Sequence, residues 1–143
     1  MKLFLDTSSL LSVFDRSDDH HSVCSDFWKE LLQKRNYEPV ISDYIVDELT
    51  TRIRYDISHP AALQALNSLT QLVGRGRLTF IWVNQTYFDQ ARRLFERYHD
   101  QEFSFTDCTS FAICRDTGIQ EAFALDSDFR IFGLNVIPAQ SGS

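Results

Sequence analysis

The chain has 143 residues, 43% of them hydrophobic, and a formal net charge of −6. That length suits one domain with a real core, and the acidic balance argues against a general electrostatic nucleic-acid binder, which carries a basic excess. No apolar stretch approaches the ~20 residues that span a bilayer, and the apolar run between Met1 and Asp6 is too short for a signal peptide, so a cytoplasmic protein without a membrane segment is expected.

Lys2-Leu3-Phe4-Leu5 predicts a short buried strand that ends in an acid, Asp6. Thr7-Ser8-Ser9 then offers capping hydroxyls, and Leu10, Leu11, Val13 and Phe14 continue as a short helix. Asp15 to His21 is polar and reads as a loop. Ser22 to Arg35 is helical, with Val23, Phe27, Trp28, Leu31 and Leu32 on its apolar face. Pro39-Val40-Ile41 predicts a second strand, followed by a helix from Tyr44 to Asp56, capped by Ser42 or Asp43, in which Ile45, Leu49 and Ile53 recur four apart. Glu48 sits at the edge of that stripe. Pro60 begins a helix that runs through Leu63, Leu66, Leu69 and Val73 until Gly74 and Gly76 stop it. Leu78 to Val83 is a third strand, and Asn84 caps a helix reaching His99. Thr106 is expected to cap a helix that opens with Asp107 and ends at Gly118. Ala122 to Leu125 and Leu134 to Ile137 are the fourth and fifth strands. Helices alternating with short apolar strands predict a three-layer α/β fold around a central, mostly parallel sheet of about five short strands. One domain over residues 1–139 and a flexible tail at 140–143 complete the expected organisation.

Four acids stand out against this frame: Asp6, Glu48, Asp107 and Asp126. Two end predicted strands and two lie on predicted helices, and an open parallel sheet forms its sites at the carboxyl ends of its strands. Each has a plainer reading alone: Asp6 as a cap, Asp107 as a complement to its helix dipole, Asp126 and Asp128 as a polar turn, and Glu48 as a solvated helix acid. Together they converge on one crevice. Carboxylates ~4 Å apart repel by about 4 kcal/mol at an effective dielectric near 20, and a hard divalent cation such as Mg²⁺ or Mn²⁺ relieves that repulsion. Thr7, Ser8, Thr106 and Ser127 accompany the acids and are placed to orient them.

Other chemistry is less favoured. Three cysteines without a Cys-x-x-Cys unit read as reduced thiols, and Cys108, although next to Asp107, has no neighbouring His to activate it. None of His20, His21, His59 and His99 is well placed as a general base. Arg52, Arg54, Arg75, Arg77, Arg92, Arg93 and Arg97 read singly as solvated helix faces, although some could flank a site and hold phosphate.

Leu5-Asp6-Thr7-Ser8, Asp47-Glu48-Leu49, Ser104-Phe105-Thr106-Asp107 and Ala124-Leu125-Asp126-Ser127-Asp128-Phe129 resemble, in order and spacing, the acidic motifs of PIN domains. The chain is most similar to the small ribonuclease toxins of type II toxin–antitoxin modules, the VapC group. The resemblance implies that Asp6, Glu48, Asp107 and Asp126 bind metal, that Asp128 is a weaker additional ligand, and that Thr7 and Thr106 support them. It also implies Mg²⁺- or Mn²⁺-dependent cleavage of RNA by water, a homodimer, and an antitoxin whose C-terminal segment folds onto the chain and covers a groove between the helices at Ser22–Arg35 and Tyr44–Asp56. Cys108 departs from the family's usual small residue without touching the chemistry. A housekeeping RNA-processing nuclease and a non-catalytic binding scaffold of the same fold are the alternatives, although scaffolds usually lack an acid and all four stand here. A dehalogenase-type phosphatase needs a second Asp where Ser8 stands, and a receiver domain needs a late Lys, whereas no Lys follows Lys34. Twelve Phe also exceed what so small a domain readily hides, which favours self-association.

Overall fold

The computed structural model describes residues 1–138, so the tail expected at 140–143 lies outside the described residues. In chain order the elements are β1 (Lys2–Leu5), α1 (Thr7–Phe14), α2 (His21–Lys34), β2 (Glu38–Ser42), α3 (Asp43–Asp56), α4 (His59–Gly74), β3 (Thr79–Ile81), α5 (Gln85–Arg97), α6 (Phe105–Thr117), β4 (Glu121–Phe123), α7 (Asp128–Phe132) and β5 (Asn135–Ile137). The five strands form one sheet in the order β3-β2-β1-β4-β5, and every neighbouring pair is parallel.

β1 is central because it is apolar on both faces. Leu3, Phe4 and Leu5 are all fully buried, as a parallel strand covered above and below requires. The chain leaves β1 toward β2 and β3 on one side and later returns to place β4 and β5 on the other. The order therefore reverses between β1 and β4, and the crevice at their carboxyl ends is where such sheets bind ligands. Leu5 lies opposite Phe123, and the Asp6 N–H donates to the Phe123 carbonyl at 3.0 Å, so the two strand ends are joined at that crevice.

The helices follow their apolar stripes. Ile45, Leu49 and Ile53 are buried along α3, whose start is fixed by Ser42 Oγ accepting from the Ile45 N–H. Ser58 and Asn84 cap α4 and α5 in the same way. Beneath α6 and α7 an aromatic chain fills the core: Phe103–Phe111, Phe111–Phe129 and Phe4–Phe129 ring centroids lie 5.0, 5.0 and 6.1 Å apart.

Three expectations change. The third and fourth strands are shorter than their apolar runs, because parallel pairing ends at Ile81 and Phe123. A helix not foreseen, α7, follows Asp126; it buries Phe129 and ends at Gly133, whose φ of 117° suits a residue without a side chain. The Phe count does not itself demand a partner: all but Phe88 and Phe95 lie in the core or pack against it. No helix among the described residues is long and apolar enough to cross a membrane. The three cysteines are free and buried.

Candidate metal centre and active site

Asp6 sits where β1 hands over to α1, and it is the N-cap of that helix. Its Oδ2 accepts from the Ser8 N–H at 3.3 Å and from Ser8 Oγ at 2.6 Å. Ser8 Oγ in turn accepts from the Leu125 N–H at 3.0 Å, and Ser9 Oγ donates to the Phe123 carbonyl at 2.6 Å. Two consecutive hydroxyls thus bind the start of α1 to the end of β4. Asp6 is only 4% exposed. Burial pushes its carboxyl up to about 6, against the lowering effect of the Ser8 bonds, and the charge of Glu48 adds to the rise.

Asp107 is held by the start of α6, but not as expected. Ser104, not Thr106, is the N-cap, and Asp107 is the third helical residue instead of the first. The two residues exchange bonds: the Asp107 N–H donates to Ser104 Oγ at 3.0 Å, and the Ser104 N–H donates to Asp107 Oδ2 at 3.1 Å. This is a capping box. Thr106 contributes its carbonyl, which accepts from the Thr109 and Ser110 hydroxyls at 2.6 and 3.1 Å. Burial raises the Asp107 carboxyl to about 6, and the charges of Asp6 and Asp126 add to that rise.

Asp126 and Asp128 flank the turn into α7. Asp126 Oδ1 accepts from the Asp128 N–H at 2.9 Å, which fixes the Asp126 carboxyl at the turn. Burial, then the charges of Asp126 and Asp107, push Asp128 up to about 7. Oxygens of Asp107, Asp126 and Asp128 all lie within 4.8 Å of one another, the one group of three potential ligands that close among the described residues. Asp6 and Glu48 are not in that group. Asp6 is near enough for its charge to raise Asp107, and Glu48, half-buried on α3, is near enough to raise Asp6. The five acids therefore share one electrostatic neighbourhood, with Asp128 in its tightest cluster.

The donor set fits a hard divalent cation. Carboxylates that raise one another's pKa values are relieved by such an ion, and all-oxygen ligation suits Mg²⁺ or Mn²⁺. Thr7 Oγ1, next to Asp6, is the one buried side-chain polar atom without a hydrogen-bond partner among the described residues, and a hydrated ion suits such an oxygen. Cys108 does not contribute a nucleophile, because burial and the neighbouring Asp107 push its thiol up to about 11.

The capping box carried a legible signal, Ser104-x-x-Asp107, which is the pattern for reciprocal capping. The Ser8 bridge to Leu125 had none, because the two residues are joined only by the pairing of β1 with β4.

Comparison with known proteins gives a consistent answer. The chain is 30% identical over 133 residues to the 23S rRNA-specific endonuclease VapC20 of Mycobacterium tuberculosis, covering 92% of this chain and 94% of that protein. The crystal structure of VapC20, described as a Sarcin-Ricin loop cleaving toxin, superposes with a TM-score of 0.82 at 26% identity over 92% of this chain and 95% of that one. VapBC2 from Rickettsia felis, solved on a promoter DNA fragment, shares the fold with a TM-score of 0.66 at 15% identity, covering 95% of this chain and 97% of that one. The family model described as PIN domain matches residues 3–133. The acids at the sheet's reversal point and the match along nearly the whole chain agree: this protein belongs to the PIN domain family, as a homologue of the VapC toxin endonucleases.

Proposed function

We propose that the chain is a metal-dependent endoribonuclease, the toxin of a toxin–antitoxin pair, with Asp6, Glu48, Asp107, Asp126 and Asp128 as its acidic site. The observation that carries this reading is the approach of three carboxylates to within 4.8 Å at the carboxyl edge of the sheet, beside the buried Asp6. Asp107, Asp126 and Asp128 would hold Mg²⁺ or Mn²⁺, with Asp6 and Glu48 completing the negative field and Thr7 and Thr106 supporting it. A bound divalent cation would lower the pKa of water and offset charge on the phosphate. The protein's own part is positional: the Ser104 box holds Asp107, the Asp128 N–H holds Asp126, and Ser8 holds Asp6. An RNA substrate is supported by the homologue's rRNA specificity. The decisive experiment is growth and RNA integrity on expression of the chain and of Asp107→Asn, with cleavage assayed in Mg²⁺ and in EDTA. Cleavage should disappear in the variant, which keeps its fold, and undiminished cleavage in EDTA would overturn the mechanism.

Two partners accompany the reading. The neighbours solved as toxin–antitoxin assemblies support an antitoxin for this chain. The groove expected between the helices at Ser22–Arg35 and Tyr44–Asp56 is one place for its segment, with α1 packed against both helices. A second apolar groove that suits such a segment lies between α3, α4 and the edge strand β3, about 320 Å³ lined by residues including Val46, Leu66, Val73 and Phe80, beside Trp82 at 69% exposure. Co-purification with the product of the adjacent gene tests this partner. A homodimer is supported by Phe88 and Phe95, 44% and 49% exposed, which flank Phe105 with ring centroids 5.1 and 6.0 Å from it.

A further inference from the structure

α5 and α6 pack side by side, and the pair opens into a cleft of about 550 Å³ lined by Gln90, Arg93, Arg97, Arg115 and Asp116 over the buried Leu94. Arg93 and Arg97 are one turn apart on α5 and so share a face; Arg115 faces them from α6. In a chain of net charge −6 this is a local reversal of sign. None of the three guanidinium groups has a carboxylate within ion-pair distance among the described residues. Asp116 is the one acid in the lining, and it accepts from the Tyr87 hydroxyl at 2.8 Å. Asp89 and Glu96 border Arg93 on the crest of α5, where Glu96 pairs with Arg92 at 3.3 Å. The Arg97 and Arg115 heads lie over the Tyr98 and Phe132 rings, 5.7 and 5.0 Å from the centroids, which holds two planar forks against an aromatic wall with their N–H edges free.

We propose that this cleft is a second RNA subsite that grips the phosphate backbone of the substrate beside the acidic crevice. Forked donors without protein partners match phosphate oxygens bidentately. Asp107 and Arg115 share α6, so at 1.5 Å per residue Arg115 lies ~12 Å along that helix from Asp107. An RNA strand leaving the crevice along α6 meets it a few nucleotides from the cut. An acidic protein segment fits less well, because the floor is buried and offers no exposed apolar anchor. The acids repel RNA unless neutralised, and a remote basic grip supplies the attraction that the crevice itself lacks.

The inference rests on the nuclease reading, and the experiment separates the two. Binding of a fluorescein-labelled RNA hairpin is measured by anisotropy in EDTA, where no metal-dependent cleavage occurs, for the full chain and for Arg93→Ala/Arg97→Ala/Arg115→Ala. The expected result is a loss of at least about tenfold in affinity and a salt slope shallower by about 2, the loss of three phosphate contacts on a single strand. Arg93→Lys/Arg97→Lys/Arg115→Lys keeps the charge and should recover part of the affinity; thermal melts establish that each variant is folded. Unchanged hairpin affinity and salt slope in the folded alanine variant overturns the proposal. So does loss of co-purification with the adjacent gene's product while RNA binding is kept, which assigns the cleft to a protein. Titration with inorganic phosphate distinguishes a site for the free anion: saturable phosphate binding lost in the alanine variant, with hairpin binding untouched, also overturns it. Cleavage of a short oligonucleotide in Mg²⁺ by the unaltered chain reports separately on the acidic crevice.

Discussion

Replacing Asp6 with Asn should make the metal-free protein more stable at neutral pH and flatten its stability between pH 4 and 6. Asp6 is almost fully buried, and its carboxyl is raised from 3.8 to about 6, chiefly by loss of water and secondarily by Glu48. The folded state therefore holds a proton on Asp6 that the unfolded state releases across that interval. With more protons bound in the folded state, stability falls as pH rises from about 4 through about 6 and stays lowered above it. A shift of about two pH units corresponds to about 3 kcal/mol at 1.36 kcal/mol per unit. Asn keeps an oxygen to accept from the Ser8 N–H and hydroxyl, so the cap survives. Its amide needs a new acceptor, which reduces the gain to about 2 kcal/mol. Urea unfolding in EDTA at pH 4 and pH 7.5, extrapolated linearly, measures the difference. Asp6→Asn should be equal to or below the wild type at pH 4 and above it by about 2 kcal/mol at pH 7.5. Parallel pH profiles for the two proteins would refute the idea that ionising Asp6 costs folding energy.

Asp126→Asn should raise the metal-free melting temperature by a few degrees, about 1 kcal/mol in stability, because the charge of Asp126 raises both Asp107 and Asp128; a lower melt in EDTA would count against that repulsion. Magnesium at a hundredfold excess over its dissociation constant should stabilise the wild type by about 2.7 kcal/mol, and calorimetry should find that gain largely absent in Asp126→Asn. Ser104→Ala removes the α6 cap and should cost about 1 kcal/mol, with a drop in cleavage rate as Asp107 loses its fixed orientation; an unchanged rate would mean the box does not position the acid. Phe88→Glu/Phe95→Glu should give a 16.6 kDa monomer by light scattering where the wild type gives twice that mass, and a wild-type monomer at every concentration would remove the dimer.

The parts of this molecule readable in sequence are those set by local periodicity. The stripe of Ile45, Leu49 and Ile53 fixes α3, and the apolar run before Asp6 fixes β1 at the centre, because a strand covered on both faces needs no polar alternation. The acids were legible as a set for the same reason: each follows or sits beside such a segment. What could not be read depends on distant neighbours. α7 exists because Phe129 finds a pocket beside Phe111 and Phe4, so Leu125-Asp126-Ser127-Asp128 looks like a bare polar turn until the core is assembled. Arg93 and Arg97 share a helix face in sequence, but nothing in the spacing places Arg115 opposite them; that follows only from the packing of α5 on α6.

Ser8 accepts from the Leu125 backbone and donates to Asp6, so one hydroxyl belongs at once to the sheet edge and to the acid. The Ser104–Asp107 pair does the same for α6. Placement of the acids is a by-product of folding: the bonds that finish the helices also hold the carboxylates of Asp6 and Asp107. Loosening these acids would mean fraying the elements that carry them. On the proposed reading, restraint would come from outside, by a partner that occupies the crevice, and potency in a cell would then be set by the ratio of chain to inhibitor and by how long the inhibitor survives.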